Sequence, residues 1–315
     1  MNVKTLLAGV VRKMGYEIIS SSKLTIPEHF PPGHFHSVIP SSAEVMERAS
    51  AIFVKPADIP CVDLNIEGQI QTLNAFKTMK ADPPFYLVEH GRRRFNIEND
   101  AFSYDDAPIL HYMMRKLRPK RIIEIGSGYS SACMLDTSEN YLSDSVDFTF
   151  IDLNCDHLRN LLEKDLPRIK IIEQPIQKVD LSIFAGLQTN DLLFIDSSHV
   201  MKIGSDLHTI LFEVLPKLAP GVCIHFHDIR YPFQYAQNTV MSGIFWNEAY
   251  LLRAFLMNNK DYEIAFWLNY LLNSHLPEVA DLQSFLPLSG WARRFNNGVN
   301  DFSSASGSIY IVKRQ

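Results

Sequence analysis

Excess positive charge is missing from this chain. Its 30 Lys and Arg are outnumbered by 35 Asp and Glu, for a formal net charge of -5. Nothing here favours a nucleic acid partner, because phosphate binding depends on clustered cations. The short basic groups at 92–94 and 116–121 read as solvated faces. Cysteine is scarce as well. Cys61, Cys133, Cys155 and Cys223 are widely spaced, with no CxxC pair to suggest a zinc or redox site, and reduced thiols in a cytoplasmic protein are the simplest reading. No internal repeat or low-complexity tract stands out. The amino-terminal segment is too short and too charged in its apolar centre to span a membrane, and no small-residue cleavage site follows it.

What the chain has is an ample core. At 315 residues with 46% hydrophobic content, it suits roughly two domains on a soft prior of ~150 residues each. Val3, Leu6, Leu7, Val10, Val11 and Met14 repeat at helical spacing and predict an amphipathic helix docked on the body or on a partner copy in a homo-oligomer. Residues 20–84 turn to Pro, His and Ser, as in IPEHFPPGHFHSVIPSS, with weak periodicity. They read as an irregular cap whose aromatic content favours ordered packing. His34 and His36 lie in it, with a surface or structural role. Residues 99–117 read as a helix with Ala107, Leu110, His111, Met114 and Leu117 on one face.

Four continuous apolar runs follow, 121–125 (RIIEI), 148–151 (FTFI), 192–195 (LLFI) and 222–226 (VCIHF), each ending in polar residues. Parallel strands covered on both faces look like this, and open α/β sheets bind ligands beyond the carboxyl ends of such strands. The expected fold is a Rossmann-like, doubly wound α/β sheet, with a cap over 1–98 and the sheet domain over 99–315. The first run ends in the turn EIGSGYSS at 124–131, where Gly126 and Gly128 let the backbone approach a ligand and Ser130 opens a helix. A dinucleotide fingerprint needs a third glycine, and that position is Ser131, which disfavours NAD. Asp152 closes the second run, where a carboxylate accepts the hydroxyls of a ribose.

In these features, the ExGxG turn beginning at Glu124, the acidic Asp152 and the run order, residues 100–315 resemble the class I S-adenosylmethionine-dependent methyltransferases. The resemblance implies that Glu124, Gly126, Ser127 and Gly128 belong to the cofactor turn, Asp152 to the ribose, Leu153 to the adenine face and Gln177 to the adenine edge. It also implies that 261–268 (DYEIAFWL) and 307–313 (GSIYIVK) supply the last two strands, the final one antiparallel.

A narrower resemblance is to the metal-dependent O-methyltransferases of catechol, macrocin and cephalosporin-cluster type. It implies a divalent ion, Mg²⁺ or similar, held by Asp196, His227 and Asp228, with Asp196 and His199 catalytic and His199 as the general base. His227 departs from that pattern, because the catechol-type enzymes carry a carboxylate there, and imidazole suits a softer metal or a substrate contact. A neutral imidazole near pH 7 suits the removal of a hydroxyl proton.

Plainer roles stand beside these. Asp196 and Asp228 can cap helices, His199 can serve a structural hydrogen bond, and His225, inside a run, reads as a core histidine. Trp246 reads as core, and the alternative is a lid bearing Arg230, Tyr231 and Glu248 over the acceptor pocket. The expected function is O-methyl transfer from S-adenosylmethionine to a hydroxyl of a sugar or other polyhydroxylated small molecule. The alternatives are an NAD-dependent oxidoreductase and a non-catalytic S-adenosylmethionine-binding partner in a glycan or natural-product pathway.

Overall fold

The computed structural model describes residues 11, 29–56, 58–79, 94–97, 99, 101–102, 106–162, 169–274, 276–279 and 307–315. The amino-terminal helix expected over residues 3–14 lies outside them apart from residue 11. The chain divides into two compact units, Met1–Ile52 and Phe53–Gln315. In the first, helices α1 (Ser42–Glu47) and α2 (Ala49–Ile52) follow a turn in which the rings of Phe30 and His34 stack at 4.6 Å. Ser41 starts α1 by accepting a hydrogen bond from the Glu44 amide, the role expected of an N-cap serine.

The second unit is built on a seven-stranded sheet. Its strands are β1 (Arg121–Ile125), β2 (Asp147–Asp152), β3 (Ile169–Glu173), β4 (Leu192–Ile195), β5 (Cys223–Phe226), β6 (Tyr262–Trp267) and β7 (Ile309–Lys313), in the order β3-β2-β1-β4-β5-β7-β6. The first five are parallel, and β7 runs antiparallel to both β5 and β6. The expected strands are all present. β4 and β5 are buried at every position and β1 at all but Arg121, which is why their sequences are apolar without alternation.

Two expectations about helices change. The helix expected at 99–117 is α4 (Asp106–Leu117); Asn99, Ala101 and Phe102 precede it in non-helical backbone. The Asn99 side chain accounts for this, since its Oδ1 accepts from the amides of Ala101 and Phe102 and its Nδ2 donates to the carbonyls of Asn96 and Phe102. Such local bonds compete with a helix. Nor does α4 show one apolar face: residues 107–114 are all buried, because the helices Ile66–Met79 and Tyr129–Tyr141 both pack against it.

The span 20–84, read as irregular, contains α3 (Ile66–Met79), with Leu73 and Phe76 fully buried. This helix serves the border strand β6. Gln69 Oε1 accepts from the Trp267 amide at 2.8 Å, and Asn65 Nδ2 donates to the Ile264 carbonyl at 2.9 Å. Backbone groups of β6 thereby find side-chain partners in place of a further strand.

Between the strands run α5 (Tyr129–Tyr141), α6 (Asp156–Leu161), α7 (Asp206–Thr209, continued by a π turn to Val214 and a 3₁₀ turn to Lys217), α8 (Gln237–Met241), α9 (Glu248–Leu256) and α10 (Leu268–Asn273). Among the described residues, no helix is long and apolar enough to cross a membrane. All four cysteines are free thiols, and Cys133, Cys155 and Cys223 are buried.

Candidate active site

The strand tips are stitched together by hydrogen bonds that extend the ladder past the strands. The Gly126 amide donates to the Ile151 carbonyl at 2.9 Å, Asp196 to Ile125 at 2.8 Å, and His227 to Ile195 at 2.9 Å. Gly126 sits at φ +84°, and a Cβ there would lie 1.9 Å from the Asp196 carbonyl oxygen. Only glycine lets the two turns cross so closely. Below the turn, Glu124 is fully buried. It accepts from Ser130 Oγ at 2.5 Å and from Ser131 Oγ, which itself accepts from the Gly128 amide at 3.0 Å. The serine in the third-glycine position is thus a working part of the turn. Burial pushes the Glu124 carboxyl up to about 8, against the opposing bonds from the two serines.

A cavity of about 370 Å³ opens beyond β1, β2 and β4, within the ~300–1,000 Å³ of small-molecule sites. Of the expected cofactor residues, Gly126, Asp152, Leu153 and Gln177 line it. Asp152 accepts from the amides of Ser127 at 2.8 Å and Asn154 at 3.0 Å. One such bond per oxygen leaves further lone pairs for ligand hydroxyls. Leu153 is exposed on the rim, while Gln177 donates to the Gly204 carbonyl at 2.8 Å. Glu124, Ser127 and Gly128 do not line the cavity. Glu124 holds the turn from beneath, and Ser127 and Gly128 form it.

Ser198, Lys202, Ser205 and Asp206 also line the cavity, and sequence reasoning missed them. Asp206 accepts from the Ser198 amide at 2.7 Å and from its hydroxyl at 2.6 Å. A Ser-Asp pair opening an amphipathic run is a capping signal, but it does not disclose that the cap faces a ligand cavity.

Asp196 faces both this cavity and a second group of side chains. His199 Nε2 lies 3.3 Å from Asp196 Oδ1 and 3.7 Å from Asp228 Oδ2. His227 Nδ1 lies 3.6 Å from Asp196 Oδ1 and 3.7 Å from Asp228 Oδ2. The four predicted residues Asp196, His199, His227 and Asp228 are therefore brought together. Behind them stand two carboxylates on helix starts. Glu248 Oε2 is 2.7 Å from His199 Nδ1, and Asp106 Oδ2 is 3.6 Å from His227 Nε2. Ser308 Oγ donates to Asp106 Oδ1 at 2.6 Å and receives the Nε2 proton of His225 at 2.8 Å. His225 is the core histidine expected, its ring stacked on Phe194 at 3.9 Å. Asp106 was not anticipated, because only the folded chain sets a helix start 121 residues earlier beside His227.

His199 and Asp228 are two of ten described non-glycine residues with positive φ, at +59° and +58°, a conformation held where the surroundings enforce it. For His199 the enforcement is visible. Its carbonyl accepts from the amides of Asn247 and Glu248, the Asn247 side chain brackets Met201, and Trp246 packs on the ring at 4.3 Å. Trp246 is thus a wall of this group as well as a packing residue.

Charge in the group is tightly coupled. Burial disfavours ionisation of Asp196, but His227 and His199 beside it win and hold its carboxyl well below the usual range. Burial likewise opposes charge on His199, yet Asp196 and Glu248 raise it to about 10. The expectation of a neutral imidazole at pH 7 is corrected by this placement: flanked by carboxylates, His199 retains its proton. His227 is raised well above its ordinary value by Asp196, Asp228 and Asp106 against burial, and burial raises Glu248. Among the described residues, no group of three or more His, Cys, Asp or Glu is arranged to hold a metal ion.

Parts of the chain are similar to known proteins. Residues 123–229, from β1 through the tip of β5, match the methyltransferase domain family. An uncharacterized protein of Archaeoglobus fulgidus is 35% identical over 175 residues, which are 51% of this chain and 75% of that one. Among solved structures, a methyltransferase of Podospora anserina with S-adenosylhomocysteine bound is 16% identical, with a TM-score of 0.36 over 73% of this chain and 93% of its own. An O-methyltransferase of tomaymycin synthesis from Streptomyces achromogenes, in complex with S-adenosylmethionine, is 14% identical, with a TM-score of 0.35 over 86% and 96%. The stretch that carries the glycine turn, Asp152 and the strand tips, residues 123–229, is thus a methyltransferase domain.

Proposed function

We propose that this methyltransferase acts on a hydroxyl of a sugar or similar polyhydroxylated small molecule. The cavity beside Gly126, Asp152, Leu153 and Gln177 would hold S-adenosylmethionine, and the Asp196–His199–His227–Asp228 group would receive the acceptor. The observation that carries this reading is the placement of His199. Its Nε2 points to the carboxylate that borders the cofactor cavity, while its Nδ1 is held by buried Glu248 at 2.7 Å. A dyad so oriented removes a proton from a hydroxyl while the departing methyl group approaches from the donor side. Its raised proton affinity suits a weakly acidic aliphatic hydroxyl, with the rate rising at alkaline pH.

Metal assistance belongs to the same proposal. The two nitrogens of His227 are buried without hydrogen-bond partners, and Nδ1 faces Asp196 and Asp228 at distances too long for hydrogen bonds. Asp196, His227 and Asp228, which are not gathered in this structure as a metal-holding group, would have to draw together around the ion, a mixed nitrogen and oxygen set that suits a borderline cation better than Mg²⁺. A bound ion would lower the pKa of the acceptor hydroxyl. His199 itself orients and deprotonates the acceptor, and Trp246 shields that exchange from water. A cytoplasmic location, from the widely spaced cysteines, and a homo-oligomeric state, from the apolar spacing of residues 3–14, belong to the same proposal.

The test is methyl transfer from labelled S-adenosylmethionine to a panel of sugars and polyols, with and without chelator. Transfer abolished by His199→Gln, with S-adenosylhomocysteine binding retained, supports the reading. Transfer that survives this substitution removes the base assignment, and transfer indifferent to chelator removes the metal.

A further inference from the structure

A second cavity, of about 190 Å³, lies beyond β5, against the loop 230–237. Its lining includes Lys55, Arg230, Gln234, Tyr235 and Gln237 and, among the described residues, no carboxylate. In a chain of net charge -5 this is a locally cationic recess. It adjoins the acidic group of the active site, because Arg230 Nη2 is 3.7 Å from Asp228 Oδ1.

The loop that presents Arg230 is built to stay in place. The Ile229 carbonyl accepts from Trp267 Nε1 at 2.9 Å, the Tyr231 amide donates to Asn269 Oδ1 at 2.8 Å, and the Phe233 amide donates to the Arg230 carbonyl at 2.6 Å. Tyr231 is anchored through its hydroxyl to the Pro56 carbonyl and packs near Trp267 and Tyr270. The guanidinium so held is under-used. Its Nε is buried with no hydrogen-bond partner among the described residues, and its contact with Asp228 is longer than a hydrogen bond. Five donors in a planar fork with one distant ion-pair partner make a receptor for a planar or tetrahedral oxyanion.

The geometry points to an anion subsite: Arg230 binds a carboxylate or phosphate carried by the acceptor, with the Asp228 carboxylate between it and His199 Nε2. This rests on the proposed acceptor class and narrows it from neutral polyols to acidic sugars and sugar phosphates. It also assigns the Asp228–Arg230 pair a sorting role, since a neutral acceptor leaves the guanidinium unsatisfied while an anion replaces Asp228 as its partner.

The experiment is calorimetric titration of the full chain, with and without S-adenosylhomocysteine, using two matched pairs: glucuronate against glucuronamide, and glucose 6-phosphate against glucose. At least one acid should bind about tenfold more tightly than its neutral counterpart, as one charge-assisted hydrogen-bonded pair predicts. The pair that shows the difference distinguishes carboxylate from phosphate. Arg230→Gln should erase the preference and leave S-adenosylhomocysteine affinity unchanged. Arg230→Lys, which keeps the charge but not the fork, should retain part of it, and it carries the test if the glutamine variant melts early. Equal binding within both pairs, no binding of any probe, or a preference that survives Arg230→Gln overturns the subsite. Failure of S-adenosylhomocysteine to bind the wild type, with the acid preference still tracking Arg230, refutes the donor assignment alone.

Discussion

Glu124 gives the sharpest quantitative expectation. Its carboxyl is fully buried under the glycine turn, with a pKa near 8 against 4.5 for the free group. The folded state therefore keeps a proton that the unfolded chain releases above pH 4.5. The contribution to stability is complete below pH 4.5 and is lost as pH rises toward 8. At ~1.4 kcal/mol per pH unit, the loss between pH 4.5 and 7 comes to about 3 kcal/mol. Glu124→Gln removes the titration while keeping an acceptor for one serine and a donor for the other. Urea unfolding of both proteins at pH 4.5, 5.5 and 7 gives the gap between them at each pH. Wild type should lose about 3 kcal/mol relative to the variant across that range, whatever the fixed cost of the substitution. A gap constant to within about 0.5 kcal/mol, near the resolution of such extrapolations, would refute the claim that this carboxyl is neutral in the fold. Because Glu124 does not line the cofactor cavity, S-adenosylhomocysteine affinity should change little.

Gly126→Ala should destabilise the protein by at least 2–4 kcal/mol on the order-of-magnitude scale of a strained backbone plus a clash, since its Cβ would meet the Asp196 carbonyl at 1.9 Å; a melting temperature within a degree of wild type would contradict this. Asp152→Ala should weaken S-adenosylhomocysteine binding by about 10- to 100-fold, the range for a hydrogen bond to a charged group, as read by calorimetry. Glu248→Gln removes one of the carboxylates that raise His199, so the alkaline-rising limb of the methyl-transfer rate should move to lower pH. Glu248→Asp should restore part of the original profile, and an unmoved limb would dismiss Glu248 as the partner of the base.

The strands were legible because burial on both faces demands apolar residues without alternation, and each run stops where polar chemistry begins. RIIEI and LLFI coincide with β1 and β4 to the residue. The positions of Gly126, Asp152, Asp196 and the pair His227 and Asp228 at the strand tips were legible for the same reason, as the polar residues that follow those runs. What the chain did not disclose depends on long-range partners. Asp106 looks like the start of any helix until Ser308 and His227 are set beside it. The charge on His199 could not be foreseen, since Glu248 lies 49 residues away in sequence. Helix α3 escaped notice because its polar Gln69 points inward, toward the Trp267 amide, and blurs the apolar period.

The attachment of α3 along β6 has a consequence for assembly. Gln69 and Asn65 occupy hydrogen-bonding groups that an incoming strand would need, so this flank of the sheet is closed to recruitment by another chain. Association of two copies through a continuous sheet would have to avoid that flank.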